Sequence, residues 1–138
     1  MARISSAAYV TAVLHFLQAY NRDDLDACEQ FLDPQIEWHS AVAYKGRSEV
    51  RSMLQSFRER FTRPQVRPDD FRESGGHVLM IVCFFEGDPE AQPREQRQSW
   101  IVAISEEGLV RRVIAYPSPA DAARAFEALA ASALKVHA

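Results

Sequence analysis

The side chains able to move a proton are few and scattered. His39 ends the alternating stretch Gln35 to His39, with Ile36 and Trp38 on one side and Glu37 and His39 on the other. Its imidazole, with a reference pKa of about 6.5, suits acid–base work near neutrality. If Trp38 points inward, strict alternation turns Glu37 and His39 outward. Two readings stand together: a surface or interface pair, or a base brought round by a twist at the strand end. Asp69 and Asp70 follow Pro68, and Asp70 reads either as a buried general base or as part of a turn or bulge. Arg111 and Arg112 straddle a strand, so the inward one brings a guanidinium able to anchor a carboxylate or polarise a carbonyl, unless it serves a surface salt bridge.

His15, His77 and His137 stand apart, and no HxH, HxxxH, CxxC or HExxH spacing occurs, so no metal is expected. There is no GxGxxG, P-loop or GxSxG sequence, which leaves no cofactor expected and nucleophilic catalysis without support. Tyr9, Tyr20, Tyr44 and Tyr116 each offer a hydroxyl, and nothing in the sequence chooses among them.

The elements that must position these groups are organised around Val78 to Phe85, eight uninterrupted apolar residues between Gly75-Gly76 and Glu86-Gly87-Asp88-Pro89. The run is too short to span a bilayer, and its β-branched and aromatic content favours a strand. A strand wet on one side would alternate, so an unbroken run predicts a central strand covered on both faces.

Before it, Ser5 to Tyr20 carries Val10, Leu14 and Leu17 at helical spacing, with Ala7, Val13 and Phe16 widening the stripe. Asn21 is expected to end this helix in the left-handed conformation. Asp23 or Asp24 then caps a short helix with Leu25, Cys28 and Leu32, stopped by Asp33-Pro34. After the short strand Gln35 to His39, a loop runs through Tyr44-Lys45-Gly46. Ser48 caps a third helix with Val50, Leu54, Phe57 and Phe61 on one face. Gln65 to Glu73, with Pro68, reads as an edge or bulged strand turning at Gly75-Gly76 into the central run. A polar loop over Asp88 to Arg94 precedes two more strands. In Gln96 to Ser105, Gln98, Trp100, Val102 and Ile104 share a face; Leu109 to Tyr116 follows the turn Glu106-Glu107-Gly108. An Ala-rich helix over Pro119 to Leu134 closes the chain.

Helices first and hairpin-linked strands later predict an α+β fold, a single domain over 1–138. Three helices serve one face of the sheet, which leaves the other face for a second subunit and predicts a homodimer through the sheet. The chain is 47% apolar and 25% charged, as expected of an ordinary folded domain. A formal charge of −3 with dispersed arginines excludes a phosphate-binding face, so no nucleic acid is expected. His15 and Gln18 interrupt the apolar N-terminal run, which reads as a helix and not a signal peptide; no membrane partner is expected. Cys28 and Cys83 read as core thiols and suit a cytoplasmic location.

The order of elements, with Ala19-Tyr20-Asn21-Arg22-Asp23-Asp24-Leu25-Asp26, Leu32-Asp33-Pro34-Gln35-Ile36-Glu37-Trp38, Tyr44-Lys45-Gly46-Arg47-Ser48-Glu49-Val50 and Gly108-Leu109-Val110, resembles the nuclear-transport-factor-2-like superfamily. The resemblance spans roughly residues 6 to 127 and is closest to the SnoaL-type polyketide cyclase and ketosteroid isomerase branch. It implies a cone, a strongly curved sheet wrapped around three helices of the N-terminal half, with a C-terminal helix and an apolar pocket, and a dimer through the sheet. The superfamily hosts several chemistries and some members with none. The isomerase places a tyrosine and two acids where this chain has Phe16, Trp38 and Trp100, so the resemblance does not extend to that reaction.

The resemblance thus implies a pocket lined by Phe16, Trp38, Trp100, Val102 and Val113, taking a small apolar organic molecule; the other reading is that Phe16, Trp38 and Trp100 are core filler closing the cone. Its candidate polar set is His39, Glu37, Asp70 and Arg111, with Arg111 inward beside Val113 and Ala115. Cofactor-free cyclase or isomerase chemistry is one expectation. A non-catalytic ligand-binding or dimerisation domain is the other.

Overall fold

The computed structural model describes residues 6–61, 63–86 and 95–137, so the loop expected over Asp88 to Arg94 lies outside the described residues. The chain runs α1 (Ser6–Asn21), α2 (Leu25–Gln30), β1 (Leu32–His39), β2 (Ala43–Lys45), α3 (Arg47–Arg58), β3 (Pro64–Ser74), β4 (His77–Glu86), β5 (Glu95–Ile104), β6 (Val110–Tyr116) and α4 (Pro119–His137). This is the α+β fold expected. The strands form one curved sheet in the order β2-β1-β6-β5-β4-β3, antiparallel except where β1 runs parallel to β6.

The apolar run is β4, interior to the sheet and covered on both sides. Val78, Met80, Val82 and Phe84 are buried on the inner face, while on the outer face Cys83 is buried and Leu79 and Ile81 are half-buried. It enters from β3 through Gly75 and Gly76, whose φ of +56° and +84° suit a tight hairpin turn that side chains would strain. The inner face holds the core against α1, whose buried stripe centres on Val13, Phe16, Leu17 and Tyr20, with Val10 and Leu14 half-buried at its edge.

The outer face, to which the sequence assigns no helix, is covered in part from within the chain. Helix α4 lies along β4, β5 and β6, with Ala122 and Phe126 buried and the Arg72 guanidinium 5.4 Å above the Phe126 ring. In β5, against which α4 packs, Ile101 (2% exposed) and Ser99 (3%) are buried.

Several local expectations are also revised. Asn21 stays helical; Asp23 adopts φ +58°, and the bonds Asp24 N to Ala19 O (3.0 Å) and Asp23 N to Tyr20 O (3.1 Å) close the end of α1. Asn21 instead pairs with β3 like a strand residue, its Oδ1 accepting from Val66 N (2.7 Å) and its Nδ2 donating to Val66 O (3.0 Å). Leu32 belongs to β1 and not to α2, because it is fully buried opposite Val110. Tyr44-Lys45 is not loop but part of β2. Helix α3 starts at Arg47 without a Ser48 cap: Gly46, at φ +84°, occupies the cap position, and Glu49 Oε1 accepts from Lys45 N at 3.2 Å.

Candidate functional site

Between α3 and the inner face of the sheet lies an open cavity of about 1070 Å³. Local sequence sets its walls. Gly46 N donates to Ile36 O (2.8 Å) and Arg47 Nε to Leu32 O (2.7 Å), tying the start of α3 to β1. The helix then buries Val50 and Leu54 and turns Met53 and Phe57 to the cavity, with Ser48, Ser52 and Ser56 recurring at four-residue spacing along one flank. Opposite stand Gln96, Gln98 and Trp100 of β5, which share a face by strand alternation.

The floor is a chain of aromatic rings. Phe57 meets Phe84 with centroids 4.5 Å apart, Phe84 meets Trp100 at 5.9 Å, and Trp100 meets Trp38 edge-on at 4.9 Å and 82°. Phe16 lies behind Trp38 at 6.2 Å. Edge-to-face packing of this kind fixes ring orientations and makes the floor apolar. The Trp100 indole N–H donates to Gln98 Oε1 at 2.8 Å. At the rim, the turn between β1 and β2 is pinned by Ser40 N and Oγ, which both donate to Val42 O (3.0 and 3.2 Å), and Val42 itself is 58% exposed.

Of the residues expected to line the pocket, Trp38 and Trp100 do; Phe16, Val102 and Val113 are buried in the core behind the wall. None of the four polar candidates lines it. Glu37 and His39 point to the other side of β1, as alternation requires, and bond to each other at 3.0 Å while both remain partly exposed. That bond holds the Glu37 carboxyl below the usual carboxylate range, with Lys45 opposite it in β2 and Arg112 beside it in β6 adding to the effect. Asp70 is exposed beside a bulge in β3, its Oδ1 accepting from Phe71 N at 2.9 Å. Arg111 corrects the expectation of an inward guanidinium. The pairing slips between Ala103 and Ile104, so Arg111 and Arg112 fall together between the buried Val110 and Val113 and both are exposed.

The polar groups that do line the cavity are Glu49, Arg60 and Arg97, the tyrosines Tyr44 and Tyr116, Ser40 with the three serines of α3, and the two glutamines. Gln98 was legible as a neighbour of Trp100 by alternation, and the serines by their spacing; neither pattern is a motif. Glu49 is the one carboxylate among the described walls, and its Oε1 is taken up by Lys45 N. Arg97 is held by Glu95 at 3.0 Å, and the Arg60 guanidinium lies 5.4 Å from the Phe57 ring centre. Among the described residues, no group of three or more His, Cys, Asp or Glu is placed to hold a metal ion. Chemically the arrangement can grip a flat molecule by its faces and hydrogen-bond its edges.

Solved structures show where this fold recurs. An NTF2-like protein of unknown function from Burkholderia pseudomallei superposes with a TM-score of 0.67 at 17% identity, covering 88% of this chain and 97% of its own. A candidate polyketide cyclase from Sinorhizobium meliloti gives 0.65 at 14%, covering 77% and 94%. TerC, crystallised with polyporic acid, gives 0.67 at 14%, covering 79% and 90%. At these identities the likeness is one of fold. No curated protein matches the sequence. The sequence itself matches the SnoaL-like domain over residues 13–113. A curved sheet around a helix-walled cavity, together with that match over most of its length, makes the chain a member of the SnoaL-like domain family.

Proposed function

We propose that this protein binds a small, flat, largely apolar organic molecule in the cavity between α3 and β5. The observation that carries this reading is a cavity of a volume that fits such a ligand, lined on its apolar side by Trp38, Trp100, Phe84 and Phe57. Polar groups ring the apolar floor, which is how pockets for small molecules fix orientation. Structural neighbours named as a candidate polyketide cyclase and solved with polyporic acid support a ligand of this general kind.

Both tryptophans of the chain wall the cavity, so indole emission reports on it without background. Titration with 1-anilinonaphthalene-8-sulfonate is expected to quench that emission saturably, and Ser52→Phe, which fills the cavity from an exposed position of α3, to abolish the effect. Linear, unsaturable quenching would overturn the reading.

Cofactor-free acid–base turnover is a second reading, favoured by one observation: Glu49 brings a carboxylate to the wall. It requires Glu49→Gln to abolish product formation while leaving saturable quenching intact. Pairing of two copies through the sheet belongs to the same proposal; it rests on Leu79, Ile81, Phe85 and Ile114, which α4 leaves half-buried on the outer face. The buried free thiols of Cys28 and Cys83 support a reducing, cytoplasmic setting.

A further inference from the structure

Gln98 is held in one orientation by a neighbour that can only donate. The Trp100 indole N–H reaches Gln98 Oε1 at 2.8 Å, and an indole nitrogen has no acceptor to offer. Turning the amide over would set its NH₂ against that N–H and break the bond. Trp100 cannot swing aside to accommodate this, because it is 2% exposed and wedged edge-on against Trp38. The carbonyl end of the amide is therefore committed, and Nε2, with two N–H donors, is left on a half-buried side chain that lines the cavity. Among the described residues no acceptor bonds to Nε2.

The bias is local to Gln98: elsewhere on the wall serine and tyrosine hydroxyls donate or accept as required, Arg60 and Arg97 only donate, and Gln96 and the second oxygen of Glu49 can still accept. A ligand edge that carries only a donor would meet Nε2 with nothing to accept from it, and a partly desolvated donor without a partner is costly.

We propose that Gln98, locked by Trp100, is the specificity-determining group of the cavity and selects ligands that carry a carbonyl oxygen on the edge lying over the Trp38–Trp100 pair. This rests on the cavity being a binding site and adds the chemical class it prefers.

Three tricyclic probes of nearly equal size separate the possibilities: fluorenone bears a carbonyl, carbazole an N–H and fluorene neither. By isothermal titration of the full chain, fluorenone is expected to bind about tenfold more tightly than carbazole, with fluorene between them. Gln98→Leu is expected to bring fluorenone to the affinity of fluorene in the same variant. Gln98→Glu keeps an acceptor for Trp100 and presents a second one to the cavity, so it is expected to invert the order in favour of carbazole. Thermal unfolding of each variant checks that it is folded, and Gln98→Met replaces Gln98→Leu if that chain does not fold. Equal affinities for the three probes, or a fluorenone preference that survives loss of the amide, would overturn the selection by Gln98 and leave the binding site standing. Failure of all three to bind would overturn both.

Discussion

Asn21 makes two hydrogen bonds to the backbone of Val66, although it lies at the end of a helix and Val66 in an edge strand. Replacing it by leucine leaves both Val66 groups without partners in a partly buried place, so Asn21→Leu is expected to cost about 1–3 kcal/mol, read from urea denaturation. At the same end of α1, burial pushes the Cys28 thiol from the usual value near 9 up to about 11, and Arg58 only partly opposes this. The folded state thus keeps its proton where the unfolded chain has lost it. That contribution is complete below pH 9 and lost as pH rises towards 11. Wild type is expected to lose roughly 2 kcal/mol more than Cys28→Ala between pH 8 and pH 11, measured from the denaturation midpoints.

At the scale of elements, Asp24 Oδ1 accepts from Ala27 N at 3.0 Å and caps the six-residue helix α2. Asp24→Ala is expected to cost about 1 kcal/mol, with helix content lost first between Leu25 and Gln30, as amide hydrogen exchange would report. The cap was legible because its residue type and place are dictated by orphan N–H groups. So was β4, whose apolar run admits few interpretations, and so was the side of β1 to which His39 turns, since alternation is geometric. Strand β2 was not legible: three residues contain no period. Arg111 was misplaced for a related reason, since the slip opposite Ala103 breaks the alternation that would have turned it inward and leaves no mark in residue type. The polar wall of the cavity was hidden because Glu49 and Ser52 of α3 and Gln98 of β5 lie far apart in sequence and are ordinary surface residues until the helix is laid over the strand.

At the scale of the molecule, the cover of the sheet's outer face decides the state of association. The expected dimer was inferred from a face thought to be bare, and α4 occupies much of it. The half-buried strip of Leu79, Ile81, Phe85 and Ile114 is what remains for pairing. Sedimentation at low micromolar concentration is expected to give a dimer, and Ile81→Lys to give a folded monomer. A wild-type monomer at that concentration would remove the sheet as an interface.

The parallel pairing of β1 with β6 governs how the molecule can be assembled. Leu32, near the front of the chain, aligns with Val110, near its end, and His39 with Ile114. A polypeptide leaving the ribosome therefore has its first strand in hand long before that strand's main neighbour exists, with the short β2 as interim company. Closing so long a loop carries a large entropic toll, and it falls on the step that also brings α4 into place. The hollow beneath α3 is thus finished only when the tail comes home, and a chain stalled before Val110 would leave that hollow without one of its walls.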